Sequence, residues 1–257
     1  MKNGLILLLM LFSFLGNAQS VKVTYSEKKI ISQERLDAMP SDVRGATLAE
    51  MKIPKLFDLE YSDGISIYQR EKNAKDFKYR SESTTIDENG NAVNSSIIAD
   101  QKITPFFYYK ELKNDLMLFK LTNSNINFDG KDKLVQWNWE ITDENKIING
   151  YKCKKAVSKE FNGKFIAWFT EDIPIKAGPE KFDGLHGLIL YINTGFIEFT
   201  AEKIEILTEE IIIVKPILPS KTVTFSEMFD QASKKFEKDT KIRTKKEDGI
   251  FMRTETY

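Results

Sequence analysis

The chain has 257 residues, with 38 lysines and arginines set against 38 aspartates and glutamates. That balance excludes the basic field needed to bind a nucleic-acid backbone. A single cysteine excludes an internal disulfide and a thiolate metal cluster, so packing must supply the stability.

The first residues, MKNGLILLLMLFSFLGNAQS, place Lys2 before an apolar run over 4–15 and small residues at Gly16, Asn17 and Ala18. This order predicts a secretory signal peptide over 1–18, cut near Ala18-Gln19. An uncleaved anchor is the alternative, but the run is short for a bilayer. The expectation is a periplasmic or extracellular protein with no transmembrane segment in the mature chain. Residues 19–257 are expected to form a single β-rich domain.

Val21, Val23 and Tyr25 alternate with polar residues and predict a first strand. Ser32 can open a short helix that Pro40 stops, and RGATLAEMK (44–52) reads as a further helical turn or an excursion. Asp63-Gly64, Asn89-Gly90, Asp129-Gly130, Asn149-Gly150 and Asn162-Gly163 are tight-hairpin dipeptides that divide alternating runs. PFFYYKEL and DLMLFKLT predict two more strands. Val135, Trp137, Trp139 and Ile141 predict one face of a half-buried strand, and KFIAWFT a central strand covered on both sides. Strands continue from Gly195 to Pro216. The clear helix is 224–239, with Phe225, Met228 or Phe229, Ala232 and Phe236 as its apolar stripe and Ser226 as its cap. The fold class is mainly β: a large twisted antiparallel sheet or open barrel with a C-terminal helix packed against it.

Chemistry is sparse. His186, the one histidine, has Asp183 nearby but no nucleophile elbow, so no catalytic trio is assigned. Cys153 sits in a strand between lysines and reads as a small packed side chain. The acidic turns at 87–91 and 129–132 lack the spacing of a calcium loop. No nicotinamide fingerprint, Walker loop or zincin helix is present, and no cofactor or metal is expected. Adjacent Glu171 and Asp172 point apart in a strand, whereas carboxylates from separate strands stay open as a hydrolytic pair.

INGYKCKKA (148–156) supplies Gly150, Tyr151 and Cys153. AWFTEDIPIKAGPEKFDGLHGLILYI (167–192) supplies Trp168, Pro174, Gly178, Pro179, Gly184, Leu185, His186, Gly187, Leu188 and Ile189. Together these runs resemble the GLPGLI family of Bacteroidetes envelope proteins, with His186 in place of the motif's proline. The resemblance implies a structural motif with no catalytic residues. It also implies a likeness to N-terminal, non-catalytic β-rich modules of secreted glycan-processing enzymes. On that basis His186 is a substitution inside a structural turn. The functional expectation is a non-enzymatic envelope module for a lipid, peptide or other apolar ligand, or for an outer-membrane protein partner. The alternatives are a periplasmic or secreted hydrolase using carboxylates from separate strands, and a scaffold without a small ligand.

Overall fold

The structure, a computed structural model, describes residues 20–39, 41–53, 55–72, 77–86, 90, 92–101, 104–159 and 164–246. The predicted leader over 1–18, Asn89 and the Asn162-Gly163 turn lie outside the described residues.

In chain order the elements are β1 (Ser20–Lys29), α1 (Gln33–Asp37), α2 (Ser41–Met51), β2 (Lys55–Ser62), β3 (Ile65–Arg70), β4 (Phe77–Ile86) and β5 (Ala92–Gln101). There follow β6 (Phe107–Glu111), β7 (Leu116–Asn123), β8 (Ile126–Asp132), β9 (Glu140–Ile148), β10 (Tyr151–Ser158), β11 (Phe165–Thr170), β12 (Leu188–Asn193), β13 (Ile197–Leu207) and α3 (Phe225–Lys246). Eleven strands form one antiparallel sheet in the order β8-β7-β6-β3-β2-β1-β13-β12-β11-β10-β9, and β4 pairs with β5 separately. The sheet is two meanders running outward from a shared seam. There β1 lies beside β13, with Val21 opposite Ile206 and Val23 opposite Ile204.

The alternation seen in the sequence decides the faces. Val23, Leu59, Tyr68, Tyr108 and Phe119 occupy successive register positions across β1, β2, β3, β6 and β7 and are all buried. That row ends at Gly130 on β8, opposite Phe119. The opposite face is polar: Lys22 pairs with Asp58 at 3.2 Å, and Thr24 donates to Asp58 at 2.8 Å. Burying one face and solvating the other is the usual arrangement of an antiparallel sheet.

Several sequence expectations are corrected. Asp129-Gly130 is not a turn; the β7–β8 hairpin turns at Ser124-Asn125, both at positive φ. Gly130 is needed inside β8 because an added Cβ would lie 1.9 Å from the Phe119 ring. Residues 133–139 are unpaired rather than a strand, and β9 begins only at Glu140. Strand structure after β13 stops at Leu207, so 208–222 crosses the sheet without pairing. The cap of α3 is Thr224, not Ser226. The Glu227 N–H donates to Thr224 Oγ1 at 3.2 Å and the Thr224 N–H to Glu227 Oε2 at 2.8 Å, a reciprocal capping box. Phe225, Met228 and Ala232 bury this helix against the core, whereas Phe236 is exposed.

The Asn149-Gly150 turn is present, with φ of 49° and 82° matching the primed turn that suits strand twist. The described fold is mainly β, a large antiparallel sheet with the C-terminal helix packed against it.

Candidate functional site

Between β11 and β12, residues 171–187 leave the sheet and fold back over its apolar face. Ile173, Ile175, Ala177, Phe182 and Leu185 are buried there. A buried irregular segment brings carbonyls that no ladder satisfies, so donors must come from elsewhere. Three side chains provide them, and a fourth, Tyr25, serves the start of β12 beside them. Tyr25 Oη donates to the Ile189 carbonyl at 2.5 Å, and Lys110 Nζ to that of Phe182 at 3.0 Å. Trp137 Nε1 donates to the Lys181 carbonyl at 3.0 Å, and Trp139 Nε1 to that of Asp183 at 2.8 Å.

The residues singled out in the sequence fall on this scaffold as follows. Gly150 is in the β9–β10 turn, and Tyr151 opens β10, half-buried. Cys153 is fully buried, and burial pushes its thiol up to about 11, so it is neither exposed nor ionised at neutral pH. Trp168 lies half-buried on β11, with Lys146 Nζ 4.3 Å from its ring centroid. Pro174 is exposed, whereas Gly178, Pro179, Leu185, Leu188 and Ile189 are buried. Gly184 has φ +88°. A Cβ on Gly187 would sit 1.9 Å from the Thr170 carbonyl oxygen. His186 is exposed, while Asp183 turns its carboxylate onto Lys110 at 3.2 Å. The structure therefore separates the only histidine from the acid beside it in sequence.

Lys110 and Asp183 are both buried; burial lowers the lysine and raises the aspartate, and their mutual attraction opposes both shifts. Sequence reading missed this pair. Its signal was period two: Tyr108 faces the core, so Lys110 two residues on faces it too.

The same extrapolation finds a second group. Val21, Val23 and Tyr25 share a face of β1, and Glu27 is next in the series. The Tyr68 hydroxyl donates to Glu27 Oε1 at 2.8 Å. Burial, then the nearby Glu180 carboxylate, pushes the Glu27 carboxyl up to about 8, against the Tyr68 hydrogen bond and the charges of Arg70 and Lys55. Glu180 stands at φ +45° in the 171–187 segment and pairs with Lys181 at 3.0 Å. Tyr68 and Tyr108 stay neutral because burial raises both. Glu27 also lines a cleft of about 130 Å³ with Lys29, Glu50, Met51, Lys55 and Ile197, where Glu50 binds Lys29 at 3.1 Å and Lys55 at 3.0 Å. The cleft gathers two carboxyl groups from distant parts of the chain: Glu27, protonated at neutral pH, and Glu50, which burial raises but Lys55 and Lys29 lower overall. Among the described residues no cluster of three or more histidines, cysteines and acids fit to hold a metal is present.

Residues 66–233 match the family described as N-glycanase peptide, N-terminal domain. The chain belongs to this family. Two solved structures of PNGF-II, in P21 and C2 crystal forms, are similar to it at 16% and 17% identity with TM-scores of 0.47 and 0.46. The matches cover 85% of this chain but 34% and 33% of those chains, so it spans about a third of their length. No curated protein matches.

The family match corrects two expectations. The envelope family that the 148–192 run resembles is replaced by the N-glycanase family. The non-enzymatic binding module is set aside, because the match is to a domain of a hydrolase family. The hydrolase alternative is the better supported reading. Membership is consistent with a periplasmic or extracellular location. No helix among the described residues is long and apolar enough to cross a membrane.

Proposed function

We propose that this chain serves the hydrolysis of N-linked glycans as the N-terminal domain of a peptide-N-glycanase-type hydrolase, exported by its leader to the periplasm or beyond. The observation that carries this reading is the family match over 66–233. Cleavage of a glycan–asparagine amide adds water to the carboxamide carbon, breaks the C–N bond and sends a proton to the departing glycosylamine. Such a reaction can use a protonated carboxyl group as its general acid. Glu27 is the group in the described chain fitted to that role. Glu27 holds its proton at neutral pH and lines the cleft. Glu27 would protonate the leaving nitrogen and regain its proton from the attacking water.

The test is incubation of the purified protein with an N-glycosylated peptide, followed by mass spectrometry. The expected outcome is released glycan together with conversion of the linked asparagine to aspartate. A chain that neither releases the glycan nor binds the glycosylated peptide in preference to its unglycosylated form would refute the reading.

A further inference from the structure

We propose that Lys110 and Asp183 condense after folding into a side-chain amide, a self-modification site that bonds β6 to the 171–187 segment. The bond is structural, acts on no substrate and is independent of the proposed function.

The two groups form the driest ion pair among the described residues, with 1% and 6% of their side chains exposed. Lys110 sits on β6 between Ser66 of β3 and Met117 of β7, both fully buried. Its Nζ donates to the Phe182 carbonyl at 3.0 Å, which fixes it beside the residue that precedes Asp183. Asp183 is held in turn, because its own carbonyl accepts from Trp139 Nε1 at 2.8 Å. Nζ then stands 3.2 Å from Asp183 Oδ2, yet that buried oxygen has no aligned hydrogen-bond donor. Buried polar atoms are rarely left in that state, and each one that is calls for an explanation. A nucleophile and an acyl carbon held at contact distance react as if at very high concentration.

The step balances within the pair. The ammonium passes one proton to the carboxylate, leaving an amine and a carboxylic acid. Burial favours these neutral forms, since it lowers the lysine and raises the aspartate. The amine lone pair then forms the N–C bond at Asp183 Cγ. The hydroxyl leaves that carbon with a second proton from the nitrogen, as water. One cation and one anion become a neutral amide and one water, with no oxidant and no co-reactant. The amide keeps one N–H for the Phe182 carbonyl. Exclusion of solvent protects the product from hydrolysis. The reaction also removes two buried charges, whose desolvation their mutual attraction repays poorly. It closes the chain between 110 and 183 into a loop that persists in the unfolded state.

The experiment is tryptic digestion of the purified, denatured full chain, read by tandem mass spectrometry. Trypsin does not cut after an acylated lysine. The expected main product containing Asp183 is therefore a branched peptide joining 103–113 to 182–203, lighter than the two together by one water. Lys110→Arg keeps the charge but presents a guanidinium that stays protonated, so in this variant the branched peptide should vanish and linear 182–203 should return. Unmodified linear 182–203 as the main product of the parent would overturn the cross-link, whether or not the variant folds. A loss of water confined to 182–203 would overturn it too, because Asp183 would then have closed on the Gly184 nitrogen instead.

Discussion

Two irregular segments cross this molecule, and they solve the same problem in opposite ways. Residues 171–187 lie over the apolar face with Ile173, Ile175, Phe182 and Leu185 buried. Residues 208–222 run from β13 towards β8 with Ile212, Val214 and Ile217 at 88%, 76% and 99% exposure. The first is held by donors aimed at its carbonyls: Lys110, Trp137 and Trp139. The second is tacked down by a hydrogen bond from the Ile211 N–H to Ser20 Oγ and by Lys215 on Glu111 at 2.8 Å, and it ends where Val223 bridges Gly130. Apolar content does not separate the two, because the exposed crossing is the richer in isoleucine. The difference is whether the sheet offers partners for the backbone polar groups that burial would strip of water.

This contrast can be broken most severely at Lys110. Lys110→Met leaves Asp183 buried without its cation and the Phe182 carbonyl without its donor, at a cost of about 3–5 kcal/mol by denaturant melting. Adding Asp183→Leu should recover much of that loss, because the stranded charge is then gone. Gly187→Val comes next. Its side chain would be forced into the Thr170 carbonyl, and overpacking of this kind costs roughly 3 kcal/mol. Trp139→Phe keeps most of the ring but leaves the Asp183 carbonyl bare, for about 1–3 kcal/mol. At the other crossing, Ile217→Ser should shift the melt by no more than about 0.5 kcal/mol, as should His186→Ala at its exposed position. An Ile217→Ser penalty comparable to that of Trp139→Phe would mean that the exposed segment is held by apolar contacts after all.

Much of the sheet was legible in the sequence because alternation marks β1, β2 and β3, while β6 and β7 are rich in aromatic and aliphatic residues. The Asn149-Gly150 and Asp63-Gly64 turns announced themselves through residues that tolerate positive φ. Gly130 misled because a glycine beside an aspartate signals a turn, whereas here it clears space for a ring supplied by another strand. Trp137 and Trp139 alternate like a strand but are spent on the carbonyls of a segment more than forty residues later, which no local pattern reveals. Glu27 and Lys110 were within reach. Each continues an apolar alternation by two positions, and a charge on the buried face of a strand is the mark of a paired or functional group. The 148–192 run drew attention to the right stretch of chain but to the wrong family, since its glycines and buried isoleucines report packing rather than chemistry.

The central claim is that any chemistry of this chain on a substrate lies with Glu27 and its cleft, and that the 171–187 run with His186 is structural. The most direct test is glycan release from an N-glycosylated peptide by the parent, Glu27→Gln and His186→Ala, each shown to be folded by near-ultraviolet circular dichroism. The account predicts release by the parent, a loss of about a hundredfold or more in Glu27→Gln and no more than about a twofold change in His186→Ala. Full activity in Glu27→Gln, or loss of activity in His186→Ala alone, would contradict it.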